Sequence, residues 1–311
     1  MELPELQKLM LRIRLVEESI ADRYSEQNMR CPTHLSIGQE AISVGVCSNL
    51  EDDDQVLSTH RAHAHYLAKG GNLNAMIAEI YGKITGCSKG MGGSMHLIDK
   101  SVGFMGSTAI VGNTIPVAVG IALSIKIKKL KTISCVFFGD GATEEGAFYE
   151  SVNFAIVHKL PILFICENNL YSVYSGLEVR QPPGRKIYEM VSALGIEANH
   201  GNGNKVLEVS EKVKIAKDNI LKGEGPQFLE FDTYRWREHC GPNYDNDIGY
   251  REENEFLEWQ RQDPLVDLFL GDEEFLQSLK DDIDVEIQEA HTFAENSLFP
   301  SVLDYQSIIN S

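Results

Sequence analysis

The sequence predicts an α/β protein: a mostly parallel sheet with helices on both faces and a helical C-terminal tail. Residues 133–138 and 162–166 are short apolar runs rich in β-branched and aromatic residues, as buried strands are. A helix between two buried strands is typical of a parallel pair with a right-handed crossover. The apolar stripe that predicts this helix consists of Phe148, Val152, Ala155 and Ile156.

Thr143, Glu144 and Glu145 suit the start of that helix, and Pro161 stops it. The other elements follow from the same periodicities. In chain order we predict helix over residues 1–60 except for a strand at 55–58, helix at 72–82, a Gly-rich irregular stretch at 83–108, helix at 115–129, a flexible loop at 181–186, helix–strand–helix over 186–223, a strand at 227–234 and mostly helix thereafter. We expect residues 1–270 to form one domain and 271–311 a helical C-terminal extension.

Composition excludes several classes of function. The formal net charge of −18 over 311 residues argues against nucleic acid or an anionic membrane as the main partner, because both require basic patches. No apolar run approaches the ~18 residues that a membrane helix needs. The N-terminal segment reads as an amphipathic helix and not as a signal or transit peptide. The six cysteines form no CxxC pair, so we expect a reducing, cytoplasmic compartment.

A carboxylate and an amide follow the two predicted strands. Asp140 stands between two glycines directly after the first strand, and Asn168 and Asn169 follow the second. Parallel strands end on the same edge of a sheet, where ligands bind in open α/β folds, so we expect Asp140 and Asn169 to converge. Carboxylate and amide oxygens are hard ligands that suit Mg²⁺ or Ca²⁺ holding a phosphate group. Each motif alone is usually a turn, and their pairing across a strand–helix–strand unit makes the prediction specific.

Three histidines stand close together at positions 60, 63 and 65. On a strand His63 and His65 would share one face, and a zinc site is an alternative interpretation. No further cysteine or carboxylate with ligand spacing follows them, so the sequence does not favour zinc here.

At these motifs the chain resembles a known family. A GDG motif followed by a distant NN is similar to the thiamine diphosphate motif. The segments GDGATEEGAFYES and ICENNLYSVYS resemble the alpha subunit of the E1 component of 2-oxoacid dehydrogenase complexes and of acetoin dehydrogenases. Further matches follow in the family's order over roughly residues 5–270: HLSIGQE from His34, RAH from Arg61, KGMGGSMH from Lys89, IVG from Ile110 and YRWREH from Tyr234.

The resemblance implies a thiamine diphosphate-binding fold with thiamine diphosphate and Mg²⁺ as cofactors. The implied metal ligands are Asp140, Asn169 and the backbone carbonyl of Tyr171. The implied cofactor contacts are His60, Arg61, Ala109, Ile110, Val111, Asp140, Gly141, Ala142, Asn169, Arg235 and His239. The family often has tyrosine where this chain has His60, whereas a guanidinium at Arg61 suits phosphate oxygens.

The resemblance also implies catalytic roles for His34 and His239, which match histidines above the reactive ring of the cofactor. An imidazole that titrates near neutrality suits proton transfer and anion stabilisation. Where mammalian relatives carry a regulatory serine this chain has Cys240, so we expect no kinase control there.

The implied reaction is decarboxylation of a pyruvate-like 2-oxoacid and transfer of the acyl group to a lipoyl acceptor. The implied partner is an E1 beta subunit in a heterotetramer of two alpha and two beta chains, followed by a lipoyl-bearing E2. Alternatives are an acetoin dehydrogenase alpha subunit, a transketolase-like half enzyme and a scaffolding subunit without activity. The sequence leaves the substrate open.

Overall fold

The computed structural model describes residues 3–266 and 273–309, and its centre is a six-stranded sheet in the order β2-β1-β3-β4-β8-β7 with all neighbours parallel. The sheet strands are β1 (Gln55–Ser58), β2 (Phe104–Ser107), β3 (Ser134–Gly139), β4 (Ile162–Asn168), β7 (Glu197–Asn202) and β8 (Gln227–Asp232), and β5 (Tyr171–Ser172) and β6 (Ser175–Gly176) form a separate antiparallel pair. The predicted α/β class and parallel sheet are confirmed.

Helices cover both faces of the sheet. They are α1 (Leu3–Arg23), α2 (Glu40–Cys47), α3 (His63–Ala68), α4 (Leu73–Ile80), α5 (Thr114–Lys128), α6 (Gly146–Val157), α7 (Leu177–Arg180), α8 (Ile187–Ser192), α9 (Val206–Leu221), α10 (Glu253–Gln260), α11 (Glu273–Asn296) and α12 (Val302–Ile309). Among the residues described, no helix is both long enough and apolar enough to cross a membrane.

Strand β3 shows why the apolar runs of the sequence are continuous. Successive side chains of a strand point to opposite faces. Cys135 and Phe137 therefore enter the core beneath α1, α2, α4 and α9, and Val136 and Phe138 enter the core beneath α5, α6 and α8. Both faces are covered, so no polar residue is needed at alternate positions.

The long C-terminal helix α11 packs against α1 and α4. Its buried apolar residues belong to the larger of the two cores and are Leu279, Ile283, Ile287, Ala290 and Ala294. The predicted domain boundary at 270/271 lies outside the described residues.

Three parts of the secondary-structure prediction are wrong. Residues 28–39 were predicted helical but are irregular, since Pro32 interrupts the segment and Gly38 has φ +96°. A Cβ at Gly38 would lie 2.5 Å from the carbonyl oxygen of Tyr234. Residues 235–252, predicted mostly helical, are irregular, and the edge strand β2 lies within the stretch predicted to have no regular structure.

The Gly-rich stretch is held by one buried carboxylate. Glu79 on α4 accepts four backbone N–H groups, at 2.6 to 3.1 Å, from Ser88, Gly90, Gly92 and Gly93. These bonds satisfy the backbone N–H groups of the irregular loop, as the hydrogen bonds between neighbouring strands do in a sheet. The loop therefore leads in an ordered path to residues 109–111 at the sheet edge.

Candidate functional site

The ends of neighbouring strands bring Asp140 and Asn169 to one edge of the sheet. Strand β3 ends one residue before Asp140, and β4 ends one residue before Asn169, with Gly139 and Glu167 in register. Both side chains are buried. The convergence expected from the sequence is thus present, in a place where carboxylate and amide oxygens are withdrawn from bulk water.

The Asp140 carboxylate is paired with the guanidinium of Arg180, at the end of α7. The same guanidinium donates to Glu144 Oε1 at 2.5 Å and to the carbonyl oxygen of Leu170 at 3.4 Å. Burial raises the pKa of Asp140, and the charge of Arg180 opposes that rise. An internal cation therefore sits among two carboxylates and a backbone carbonyl.

The segment after Asn169 has a strained backbone. Leu170 and Val173 have φ of +72° and +57°, a left-handed conformation that is costly for a branched side chain and concentrates at ligand sites. Asn169 fixes the entry to this turn, because its Oδ1 accepts from the Tyr171 N–H at 3.3 Å and its Nδ2 donates to Gln39 Oε1 at 3.1 Å. The turn places the Tyr171 backbone beside Asn169.

Gly141 allows this turn to lie directly across the strand end. A Cβ at Gly141 would be 2.8 Å from the Ser172 hydroxyl oxygen. A carboxylate, an amide and nearby backbone carbonyls, already neutralised by a guanidinium, form the donor set that a hard divalent cation prefers. The residues present therefore fit Mg²⁺ and a phosphate group.

A second cluster consists of His34, His60 and His239, which come from three segments far apart in the chain. Their ring centroids are 4.6, 5.2 and 5.2 Å apart. The Nδ1 atoms of His34 and His60 are buried and have no hydrogen-bond partner. Burial, reinforced by the charge of Arg61, lowers the pKa of His34 to about 2 and the pKa values of His60 and His239 to about 3. All three imidazoles are therefore neutral at pH 7.

Two buried arginines stand behind the histidines. Arg61 donates to the carbonyl oxygens of Leu35 at 2.7 Å and His239 at 3.2 Å, and burial lowers its pKa to about 9. Arg235 donates to the Tyr250 hydroxyl at 2.8 Å and contacts the Asp245 carboxylate. These contacts connect the loops that carry the histidines, and the two guanidinium groups place positive charge next to the cluster.

The histidines at positions 60, 63 and 65 do not form a zinc site with one another. His63 and His65 are two residues apart on one helix, so their side chains diverge, and His60 lies before that helix beside His34 and His239. His63 contacts Ser94 and Glu17, while His65 contacts Ser58 and Glu167. In residues 3–266 and 273–309, the only group of three or more potential metal-binding side chains is His34, His60 and His239.

Ala109, Ile110 and Val111 lie at the surface and not in the core. Ile110 is 63% exposed and Val111 is 43% exposed, and the Ala109 N–H donates to His96 Nε2 at 3.4 Å. Sequence reasoning missed Arg180 and Gln39, the two side chains that hold Asp140 and Asn169. Arg180 carries no local signal, since its sequence context resembles that of any surface arginine. Gln39 lies within the HLSIGQE segment, which could have identified it.

Comparison with known proteins matches residues 8–302 to the dehydrogenase E1 component family. The alpha-3 subunit of the chloroplastic pyruvate dehydrogenase E1 component of Arabidopsis thaliana is 37% identical over 310 residues, covering 95% of this chain and 71% of that protein. The alpha subunit of acetoin:2,6-dichlorophenolindophenol oxidoreductase of Bacillus subtilis is 35% identical over 298 residues, covering 94% and 88%. The pyruvate dehydrogenase E1 alpha subunit of Zymomonas mobilis is 35% identical over 308 residues, covering 96% and 86%.

Proposed function

The chain belongs to the dehydrogenase E1 component family, and we propose that its sheet edge holds the diphosphate of thiamine diphosphate through Mg²⁺. It is the alpha subunit of a thiamine diphosphate-dependent E1 oxidoreductase. In the principal proposal its substrate is a pyruvate-like 2-oxoacid, whose acyl group passes to a lipoyl acceptor. In the alternative it serves acetoin, which the similarity to the Bacillus subtilis enzyme favours.

The proposed metal ligands are Asp140, Asn169 and the backbone carbonyl of Tyr171. The single observation that carries this proposal is the Arg180 guanidinium on buried Asp140, which marks a site that requires a cation. Gly141 and Ala142 follow Asp140 in the turn Asp140–Glu144, so their backbone N–H groups are proposed to donate to the diphosphate. Arg61 and Arg235 add positive charge that suits the same anion.

When bound, thiamine diphosphate supplies the carbanion that attacks a substrate carbonyl. His34 and His239 are proposed to act on the substrate. Because both imidazoles are neutral, each has one N–H to donate and one nitrogen to accept a proton. The Nδ1 of His34 has no hydrogen-bond partner within the chain, and we propose that it bonds a substrate oxygen. Arg61 orients His239 from below, at 3.5 Å from its Nδ1.

His60 is proposed to contact the cofactor beside Arg61. Ala109, Ile110 and Val111 are proposed to lie along the aminopyrimidine ring, a proposal that the exposed apolar side chains of Ile110 and Val111 support. Residues 1–270 are proposed to form the cofactor-binding domain, with 271–311 as a helical extension.

An E1 beta subunit completes the enzyme, and we propose a heterotetramer of two alpha and two beta chains in the cytoplasm, working with a lipoyl-bearing E2. Helices α5 and α6 pack side by side, and each exposes large apolar side chains to solvent. Val157 and Ile127 are 68% and 71% exposed, and a Cβ at Gly120 would meet nothing within 4 Å. Such a surface favours a protein partner.

Isothermal titration tests the proposal: thiamine diphosphate with Mg²⁺ is added to the chain alone and then to the chain with its beta partner. Tight binding only with the partner, and turnover of pyruvate, a branched 2-oxoacid or acetoin only by the complex, are expected. Decarboxylation by the alpha chain alone contradicts the heterotetramer. Absence of cofactor binding in both states contradicts the cofactor site.

A further inference from the structure

The histidine cluster has a property that the proposed reaction does not require. His34, His60 and His239 offer ring nitrogens that all lie within 4.8 Å of one another. The proposed chemistry uses His34 and His239 as hydrogen-bonding groups and His60 as a cofactor contact, and none of these roles requires the three rings to converge on one point. Two of the Nδ1 atoms are buried without a partner, which is costly for a polar atom.

We propose that His34, His60 and His239 bind a divalent transition-metal ion of the zinc class, at a site separate from the oxygen donors around Asp140. Three imidazoles with an open fourth position are a known arrangement for zinc. The structure holds the three rings together through buried or half-buried packing, so the donor set does not depend on a mobile surface side chain.

The donor atoms decide which ions bind. Imidazole nitrogen suits Zn²⁺, Cu²⁺ and Ni²⁺, whereas Mg²⁺ requires oxygen. The site at Asp140 offers oxygen, and the histidine cluster offers nitrogen with no carboxylate among its members. When both ions are present, we therefore expect Mg²⁺ at the oxygen atoms around Asp140 and Zn²⁺ at the histidine cluster.

Arg61 is the main opposing charge, because its guanidinium lies 3.5 Å from His239 Nδ1. Its repulsion weakens binding of the bare ion and favours an anion, such as hydroxide or a substrate carboxylate, as the fourth ligand. Tetrahedral coordination at about 2.0–2.1 Å brings ligand nitrogens to about 3.4 Å from one another. Small ring rotations supply this closure, since His60 and His239 lie outside helices and strands.

Occupancy by zinc ties up His34 and His239 and closes the space above the proposed cofactor site. The ion is therefore expected to inhibit turnover reversibly, with activity restored by a chelator. This consequence rests on the proposed function, whereas the binding of zinc to the alpha chain does not.

The test is calorimetric titration of ZnCl₂ into the full alpha chain in excess Mg²⁺, with Co²⁺ as a spectroscopic probe of coordination geometry. We expect one high-affinity Zn²⁺ per chain and the visible absorption of tetrahedral Co²⁺. His60→Tyr, which introduces the residue common in the family, is expected to weaken Zn²⁺ binding by more than about 100-fold. The matched control is His158→Gln, which changes an exposed histidine outside the cluster and is expected to bind as the parent does.

Unchanged Zn²⁺ affinity in His60→Tyr, or Co²⁺ without tetrahedral absorption, overturns the proposal. His34→Gln is the second variant, so that misfolding of one variant, checked by circular dichroism, does not remove the test. Loss of Zn²⁺ binding in both folded variants supports the metal site. This holds even if the parental complex reconstituted with its beta subunit has no activity, a result that contradicts the proposed function and leaves the metal site intact. Normal turnover by a complex whose alpha chain binds no Zn²⁺ overturns the metal site alone.

Discussion

The two ends of the proposed active site have opposite electrostatic character. At the oxygen end, the carboxylates of Asp140 and Glu144 are both paired with the single guanidinium of Arg180. At the nitrogen end, three neutral imidazoles face one another next to Arg61, and the buried Nδ1 atoms of His34 and His60 have no partner. The carboxylates of the oxygen end already have an ion-pair partner within the chain, whereas two nitrogen atoms of the nitrogen end have no hydrogen-bond partner.

The difference shows how a single chain can prepare two kinds of binding. Buried carboxylates are costly without a counter-charge, so the oxygen end carries an internal cation that a metal must displace. Neutral imidazoles cost less to leave unpaired, so the nitrogen end can stay open to a substrate or an ion. The predictions below test each end separately.

The largest effect is expected from Asp140→Asn, which removes the charge of the oxygen end. Mg²⁺-dependent binding of thiamine diphosphate should fall by more than about 100-fold, since the proposed metal loses its only carboxylate ligand. Calorimetry of the reconstituted complex measures this loss, and activity should disappear with it. Asp247→Asn is the control, because Asp247 is exposed. Cofactor binding at parental affinity by a folded Asp140→Asn complex would refute the oxygen-end assignment.

At the nitrogen end, His34→Gln is expected to lower kcat by about 10²–10⁴-fold, the range typical of a proton-transferring side chain. Affinity for thiamine diphosphate should remain within a few-fold, because His34 is proposed to contact the substrate and is not among the proposed cofactor contacts. Steady-state kinetics and calorimetry on the same preparation separate the two quantities. Equal loss of cofactor affinity and kcat would show that the two ends are not independent.

Arg180→Gln is expected to have a smaller effect in the opposite direction. Removal of the guanidinium that competes for Asp140 should tighten binding of Mn²⁺, used as a probe in place of Mg²⁺, by about tenfold, which corresponds to about 1.4 kcal/mol. Electron paramagnetic resonance of free Mn²⁺ measures the affinity without the cofactor. Arg185→Gln, an exposed arginine in the following loop, is the control. Weaker Mn²⁺ binding in Arg180→Gln would show that Arg180 supports the site and does not compete for it.

The two ends also differ in how much of them the sequence could reveal. Asp140 and Asn169 follow adjacent strands of one crossover unit, so periodicity alone predicts that they meet. His34, His60 and His239 meet through loops that lack a periodic pattern, and resemblance supplied their roles. The contacts that assemble them are between backbone groups and Arg61, which no local pattern reports.

The errors in secondary structure have the same origin. Residues 28–39 and 235–252 are fixed by long-range contacts, such as that of Gly38 with Tyr234, and such segments show neither a 3.6-residue nor a 2-residue period. Strand β2 (FMGS) contains a glycine and lies at the sheet edge, so its sequence lacks the apolar run that identified the inner strands. Helices and inner strands could be predicted because burial of one or two of their faces produces a regular pattern of apolar residues in the sequence.

The nitrogen end should also show itself in the pH dependence of stability. The folded chain lowers the pKa of His60 from 6.5 to about 3, through burial and the charges of Arg61, His239 and Arg235. The unfolded chain therefore binds a proton that the folded chain does not, and the free energy of unfolding falls as the pH drops from about 6.5 towards 3. His60→Tyr removes this group, so its stability should fall less steeply with acid, by about 1.4 kcal/mol per pH unit. Urea unfolding of parent and variant between about pH 4 and pH 6 measures the two slopes. Parallel slopes would mean that His60 is protonated in the folded chain, and the nitrogen end would then be charged like the guanidinium groups behind it.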